Sequence, residues 1–171
     1  NVSISAMNAC LGDNITFTNN TTPSNGTITQ WEWQFGDGNT TDMFEPSHLY
    51  SSLGTFNVEL AATSDSGCVG IGTTTVELFP YPETNFSFSA YEGCTPIAIS
   101  FQDESTINPN YSIGSYEWNF GDGTSSTEVS PTHTYVTDGN FDVSLVTTSH
   151  FFCFSDTPQF STLFPYTTLF R

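Results

Sequence analysis

One eight-residue segment occurs twice in the chain and limits the folds that the chain can adopt. The copies are residues 31–38, WEWQFGDG, and residues 116–123, YEWNFGDG. In each copy, aromatic and polar residues alternate up to Gly-Asp-Gly, and alternation with a period of two is typical of a half-buried β-strand. Gly-Asp-Gly favours a tight turn, because glycine tolerates positive φ values. Each copy therefore predicts a core strand that enters a hairpin.

The repeat extends over almost the whole chain. Equivalent residues lie 85 positions apart over most of it, and upstream the separation between Cys10 and Cys94 is 84. The equivalent pairs include Trp33 and Trp118, Phe35 and Phe120, Gly36 and Gly121, Asp37 and Asp122, Gly38 and Gly123, His48 and His133, and Tyr50 and Tyr135. The sequence therefore predicts two domains, residues 1–80 and 81–166, followed by a tail of residues 167–171.

Turn signals divide the first repeat into short segments in which apolar and polar residues alternate. These segments are residues 2–5, 14–19, 28–35, 40–44, 47–50, 55–63 and 71–79. About seven short strands in roughly 80 residues is the pattern of an immunoglobulin-like sandwich. No window of helical length has an apolar stripe with a period of 3.6 residues. The predicted fold is all-β, with two tandem immunoglobulin-like β-sandwiches.

The charge of the chain excludes some classes of partner. The net charge is −17, and the single Lys or Arg is Arg171. A chain without cations cannot neutralise phosphates, so nucleic acid is excluded as a partner and anionic membrane surfaces are disfavoured. No apolar run approaches the roughly 20 residues that span a bilayer, so no membrane insertion is expected. The acidic surface favours solubility and suits divalent cations.

Three motifs, found in the same order in both repeats, resemble the PKD (polycystic kidney disease) domain family. They are aromatic-x-Trp-x-Phe-Gly-Asp-Gly, Pro-x-His-x-Tyr and Gly-x-aromatic-x-Val-x-Leu. The resemblance implies an extracellular β-sandwich that serves in adhesion, as a spacer, or as an accessory to secreted hydrolases, and it does not imply catalysis. The added cysteines resemble those of PKD repeats in large secreted surface proteins of bacteria.

The last ten residues allow two interpretations. Residues 162–171, TLFPYTTLFR, resemble the translation of a sequencing-adapter oligonucleotide. Residues 163–166, LFPY, also align with residues 78–81 at the spacing of 85, which would make them the end of the second repeat. Both interpretations stay open at this point.

The four cysteines allow three disulfide pairings. Repeat symmetry favours Cys10–Cys68 and Cys94–Cys153. The alternative is a zinc site, but the chain has no Cys-x-x-Cys spacing and two cysteines per domain are too few for zinc. Two disulfides indicate an oxidising compartment, so the predicted location is secreted or at the cell surface.

The motif aspartates and histidines are interpreted as structural. Asp37 and Asp122 are expected to bond to their own turns, with calcium binding as the alternative. No cofactor is expected, because calcium needs six to eight oxygens and the chain has no Asp-x-Asp-x-Asp-Gly loop. Some PKD-like domains bind calcium near linkers, which adds the candidates Glu83, Glu92, Asp103 and Glu104.

His48 and His133 are expected to bond across the sandwich, with Tyr50 and Tyr135 anchoring the next turn. An enzyme would need a nucleophile or a carboxylate beside each histidine.

Three phenylalanines break the symmetry of the repeats. Phe151, Phe152 and Phe154 surround Cys153, where the first repeat has mostly small or polar residues around Cys68. They either pack against the protein or form an exposed patch for a partner or for stacking on a sugar ring.

Together these features predict a non-catalytic adhesion or spacer module of a large cell-surface protein. The alternative is an accessory substrate- or carbohydrate-binding module of a secreted hydrolase. The expected partners are protein or carbohydrate at the cell exterior and neighbouring repeats of the same chain.

Overall fold

The computed structural model describes residues 1–89, 95–151 and 153, together with the backbone of residues 161–163. Over these residues the regular structure consists of β-strands without a helix. The chain divides into two compact units, Asn1–Phe79 and Pro80–Arg171. The predicted all-β fold is confirmed. In the described part of the chain there is no helix that is long and apolar enough to cross a membrane.

The first unit contains nine strands. They are β1 (Ile4–Ser5), β2 (Ala9–Cys10), β3 (Ile15–Thr16), β4 (Thr18–Asn19), β5 (Ile28–Gln34), β6 (Thr40–Thr41), β7 (Ser47–His48), β8 (Gly54–Ser64) and β9 (Val69–Phe79). One layer is a five-stranded sheet in the order β2-β9-β8-β5-β6, and the other layer consists of the pairs β1–β4 and β3–β7. The β8–β9 hairpin is the longest pairing, from Gly54 opposite Leu78 to Thr63 opposite Val69.

The predicted strand at residues 14–19 is divided in two, because it changes its partner half-way. β3 pairs with β7 and β4 pairs with β1. Between them, the backbone N–H of Phe17 donates to the carbonyl of Pro46, with 2.9 Å between N and O. The side chains still alternate, since Ile15 and Phe17 are buried and Thr16 and Thr18 are exposed.

The second unit has the same plan. Its strands are β10 (Phe86–Phe88), β11 (Ile97–Asp103), β12 (Ile113–Asn119), β13 (Ser125–Ser126), β14 (Thr132–Tyr135), β15 (Phe141–Ser149) and β16 (Ser161–Leu163). They form a four-stranded sheet in the order β13-β12-β15-β16 and a three-stranded sheet in the order β10-β11-β14.

The motif residues build the core of each sandwich. The buried cluster of the first unit comprises Ile15, Phe17, Trp33, Phe35, Tyr50, Val58, Leu60, Val76 and Leu78. The cluster of the second unit comprises Ile99, Phe101, Trp118, Phe120, Tyr135, Val143 and Leu145. Each aromatic side chain buries a large area, so a few of them can fill a thin core.

Several predictions concern residues outside the described part of the chain. These residues include Glu92, Cys94, Phe152 and Phe154, and also residues 164–171, which make up most of the segment that resembles adapter sequence.

Candidate functional site

The Gly-Asp-Gly turn follows directly from the packing of β5. Trp33 and Phe35 are buried in the core. The turn that follows them reverses the chain into β6 and passes close to β8. Gly36 has φ 81°, and a Cβ atom built there would lie 2.5 Å from the carbonyl oxygen of Asn57. Gly121 has φ 77° and the same close approach to the carbonyl oxygen of Asp142, at 2.6 Å. Only glycine combines this backbone conformation with this contact.

Asp37 holds the turn of the first repeat together. Its Oδ1 accepts a hydrogen bond from the backbone N–H of Asn39, at 3.0 Å. Its Oδ2 accepts one from Nδ2 of Asn39 at 2.9 Å and lies 2.7 Å from Nε2 of His48. The side chains of His48 and Asp37 retain 13% and 17% of their accessible surface, so solvent reaches this pair only in part.

Asp122 does the same in the second repeat. Its Oδ1 accepts hydrogen bonds from the backbone N–H of Thr124 at 3.0 Å and from the Thr124 hydroxyl at 2.6 Å. Its Oδ2 lies 2.7 Å from Nε2 of His133. The Asp–His contact is thus a feature of both repeats, even though the residue after the second turn glycine differs.

Each histidine ring lies between two aromatic side chains. The ring of His48 stacks on Phe35, with 4.2 Å between centroids and 4° between planes, and meets the edge of Tyr50 at 4.6 Å. The hydroxyl of Tyr50 is buried and donates to the carbonyl of Phe35 at 2.9 Å. His133 stacks on Phe120 in the same way, also at 4.2 Å.

The second repeat reproduces the tyrosine anchor. The hydroxyl of Tyr135 donates to the carbonyl of Phe120 at 2.9 Å. The histidine therefore joins the turn to the strand β7 or β14 through its carboxylate contact, its stacking and the neighbouring tyrosine. We call the set Asp37–His48–Tyr50, and its counterpart Asp122–His133–Tyr135, the turn lock.

The turn lock shifts the pKa of its acidic groups. Burial acts to raise the pKa of Asp37, but the hydrogen bonds from His48 and Asn39 outweigh it, so that the pKa lies below its ordinary value of 3.8. The pKa of Asp122 is lowered in the same way, where Thr124 and His133 outweigh burial. Burial, with a contribution from the charge of Asp37, raises the pKa of Tyr50 to about 12.

The arrangement is not that of a triad-type proton relay. Catalysis would need a nucleophile or a carboxylate beside each histidine, and the structure places a carboxylate there. However, Asp122 and the hydroxyl of Thr124 approach the same ring nitrogen, Nε2 of His133, at 2.7 and 3.4 Å. A relay needs the carboxylate and the nucleophile on opposite ring nitrogens. In the first repeat, the residue in the place of Thr124 is Asn39, which is not a nucleophile.

The direct contact between the motif aspartate and the motif histidine was not foreseen from the sequence. Each residue was interpreted as structural by itself. The signal that could have linked them is their spacing, since Asp37 and His48 are 11 residues apart, as are Asp122 and His133.

The predicted pairing of Cys10 with Cys68 is wrong. Cys10 takes part in a disulfide bond, whereas Cys68 is an exposed free cysteine. Cys10 lies beside Phe79 at the end of β9, and Cys68 precedes Val69 at the start of the same strand. At a rise of about 3.3 Å per residue, the length of β9 separates them by roughly 33 Å, far beyond the reach of a disulfide. Cys94, and with it the Cys94–Cys153 pairing, lies outside the described residues.

The other calcium candidates also have hydrogen-bonding roles. Oδ1 of Asp103 accepts from the backbone N–H of Ser105 at 3.0 Å, and Oε1 of Glu104 accepts from the hydroxyl of Ser87 at 2.7 Å. The backbone of Glu83 bridges to Thr106. Among the residues that the structure describes, no three His, Cys, Asp or Glu side chains lie close enough together to hold a metal ion.

Of the three phenylalanines around Cys153, Phe151 is described. It retains 47% of its accessible surface, and its ring meets the edge of the Tyr111 ring with 6.1 Å between centroids. Cys153 itself is buried. Phe151 thus has both an aromatic neighbour and an exposed face.

Comparison with known proteins places this geometry in a family. The model of the PKD domain matches twice, over residues 3–78 and 82–153. The chain belongs to the PKD domain family. The two matches coincide with the two repeats, so each turn lock lies within its own PKD domain.

Relatives with PKD-like sequence include two bacterial enzymes. A microbial collagenase of Vibrio alginolyticus is 40% identical over 67 residues, which are 39% of this chain and 8% of the collagenase. The collagenase ColA of Bacillus cereus is 46% identical over 55 residues, which are 32% of this chain and 6% of that enzyme. The chain therefore matches only a small part of each of these relatives.

The solved structures support the fold. The fibronectin(III)-like modules of Clostridium thermocellum CbhA align with 94% of this chain and 93% of their own, with a TM-score of 0.52 and 14% identity. At this identity the similarity concerns the β-sandwich architecture and nothing more.

Proposed function

We propose that this pair of PKD domains is a non-catalytic module that serves in adhesion or as a spacer at the exterior of a bacterial cell. The observation that carries the proposal is the turn lock. The closest acid–base pair of each domain is built into the hairpin and the core, in the same geometry in both repeats. An Asp–His pair that has the same hydrogen-bonding role in both repeats stabilises the fold. Binding of a partner is then expected at the outer surfaces of the domains.

The secreted or cell-surface location rests on two observations. The disulfide-bonded state of Cys10 indicates an oxidising compartment. The net charge is −17, with one Lys or Arg in the chain, so the surface repels nucleic acid and anionic membranes. The partners that remain are proteins or carbohydrates outside the cell.

The collagenase relatives favour a second candidate function. In this alternative, the chain is an accessory module of a secreted hydrolase, where it holds the substrate for a catalytic domain. Phe151 and the aromatic side chain of Tyr111 would supply a surface for weak substrate binding.

Cosedimentation separates the two candidates. The whole chain is mixed with insoluble collagen, cellulose and chitin, each in a separate experiment, and the unbound fraction is measured. As a spacer, or as an adhesion module for a partner other than these polymers, the chain is expected to stay in solution with all three. Saturable binding that Phe151→Ser abolishes, with the melting temperature unchanged, would establish the accessory function instead. Turnover of a collagen-derived peptide by the purified chain would contradict both.

A further inference from the structure

We propose that the free edge of β9 binds an extended basic polypeptide segment as an added β-strand. This inference deepens the proposed adhesive function by naming a class of partner, and it rests on that function. A strand that pairs on one side only presents a row of backbone N–H and C=O groups that can bind another chain.

The edge is open over most of its length. β9 pairs with β8 at ten consecutive positions, from Val69 to Leu78. On its other side β2 pairs with Leu78 and Phe79 alone. No other strand of the described chain pairs with β9.

One hydrogen bond shows which backbone groups face the open edge. The N–H of Glu77 donates to Oδ1 of Asn8, at 2.9 Å, on the side away from β8. Because backbone groups alternate in direction along a strand, the N–H and C=O groups of Ile71, Thr73 and Thr75 face the same way. The side chains of these three residues are exposed. From Ile71 to Thr75 the side chains of the odd-numbered residues are therefore exposed, and no strand of the described chain pairs with their backbone groups.

The edge lacks three features that protect many natural sheet edges, namely lysine, proline and a β-bulge. Such edges are usually short or carry lysine, proline or a β-bulge. β9 has eleven residues without lysine or proline, and its register with β8 contains no bulge. A long, regular and unprotected edge would be a hazard for aggregation unless the high net charge keeps copies of the chain apart.

The charge of the outer sheet face selects the partner. Glu59 lies opposite Thr73 on β8, and Glu77 follows Thr75 on β9 itself. Glu32 lies on the next strand, opposite Ala61. Residues 1–170 contain no lysine or arginine to balance these carboxylates. A second copy of this chain would bring a charge of −17 to the edge, whereas lysine or arginine side chains on an added strand would meet the glutamates.

A defined peptide tests the proposal with a readout at single residues. The probe is a synthetic nine-residue peptide in which lysine alternates with valine and threonine, and amide exchange of the whole chain is followed by NMR. At saturation we expect the amides of Ile71, Thr73 and Thr75 to become protected. The amides of Gly70, Gly72 and Thr74 already face β8 and should not change. This alternation distinguishes strand addition from general contact with the surface.

Two variants at one position supply a matched control. Thr73→Pro removes the edge-facing N–H without removing a bond to β8, which edge strands tolerate. We expect it to weaken peptide binding about tenfold, since it removes a backbone hydrogen bond and hinders close approach. Thr73→Ala removes the same hydroxyl but keeps the N–H, and should bind within about twofold of the parent.

Several results would overturn the inference. One is protection of the amides of β9 that does not alternate along the strand, and another is an equal effect of Thr73→Pro and Thr73→Ala on peptide binding. The others are equal affinity for a peptide with glutamate in place of lysine, and self-association of the chain through β9 in sedimentation experiments. The binding of Thr73→Pro is interpreted only if the NMR spectrum of this variant is that of a folded protein. If the variant does not fold, the amide exchange pattern of the parent chain decides whether the inference holds. Failure of the peptide to bind, with the cosedimentation results as proposed, would refute this site and leave the non-catalytic function standing.

Discussion

At the scale of single residues, the two glycines of each turn motif have different roles. Gly36 and Gly38 both have positive φ, at 81° and 94°, but a Cβ at Gly38 would meet no atom within 4 Å. Gly38→Ala should therefore cost only the backbone term of about 1–2 kcal/mol. Gly36→Ala adds a contact with the backbone of Asn57 and should cost clearly more.

Urea denaturation of the two glycine variants measures this difference. Gly121→Ala and Gly123→Ala repeat the comparison in the second domain, where Gly121 makes the close contact and Gly123 does not. Equal losses at Gly36 and Gly38 would show that the close approach to Asn57 has no energetic consequence.

The cysteines give a second prediction at this scale. Because Cys68 is exposed and free, iodoacetamide should label it in the native, unreduced chain. Cys10 and Cys153 should be labelled only after reduction. Peptides for mass spectrometry must come from chymotrypsin or a Glu-specific protease, since the chain has one Lys or Arg. A disulfide-linked peptide that contains Cys68 would contradict the structure.

At the scale of strands, the buried tryptophan ties β5 to the segment that precedes β7. Nε1 of Trp33 donates to the carbonyl of Met43 at 2.9 Å, and Nε1 of Trp118 donates to the carbonyl of Glu128 at the same distance. Trp33→Phe should cost about 2 kcal/mol or more, because it opens a cavity and leaves an acceptor without its donor. Thermal unfolding measures this loss. Trp31→Phe is the control, since Trp31 is only half-buried and should show a smaller loss.

The strands also show which parts of the fold the sequence predicts well. Alternation in β5 and β8 predicts core residues such as Trp33 and Leu60. Every second residue of a strand lies on the same face, so the apolar set shows which face is buried. The division of residues 14–19 into β3 and β4 could not be foreseen, since the choice of partner depends on distant strands.

The same limit explains the errors at the candidate site. The residues of the turn lock were identified by their repetition, but the contact of Asp37 with His48 requires the chain to return from the hairpin beside the turn. Repeat symmetry favours the pairing of Cys10 with Cys68, but it carries no information about distance. The length of β9 separates the two cysteines. Patterns along the chain identify which residues matter more readily than which residues meet.

At the scale of the whole molecule, charge repulsion should destabilise the chain. The chain has 18 acidic residues and one Lys or Arg. Raising the ionic strength from 0.01 to 0.15 M shortens the screening length from about 30 Å to about 8 Å. The melting temperature should therefore rise with sodium chloride, as calorimetry would show. No rise would mean that the carboxylates do not repel one another appreciably in the folded state.

Calcium provides a control for this salt effect. Magnesium and calcium chloride at the same ionic strength should raise the melting temperature equally if the effect is screening. A larger rise with calcium, lost in Asp37→Asn or Asp122→Asn, would indicate that the turn lock binds calcium.

The Asp–His pairs stabilise the fold, and the pH dependence of the unfolding free energy measures this stabilisation. A carboxyl group whose pKa is lowered in the folded state stabilises the protein above its unfolded pKa, and this stability is lost as the pH falls through the lower folded pKa. The unfolding free energy of the parent chain and of the Asp37→Asn/Asp122→Asn variant is measured from pH 7 to pH 2. We predict a difference that shrinks as the pH falls below about 4, where the carboxyl groups become protonated. A difference that does not shrink between pH 4 and pH 2, or an equal stability of the two chains at pH 7, would show that the Asp–His pairs do not stabilise the fold.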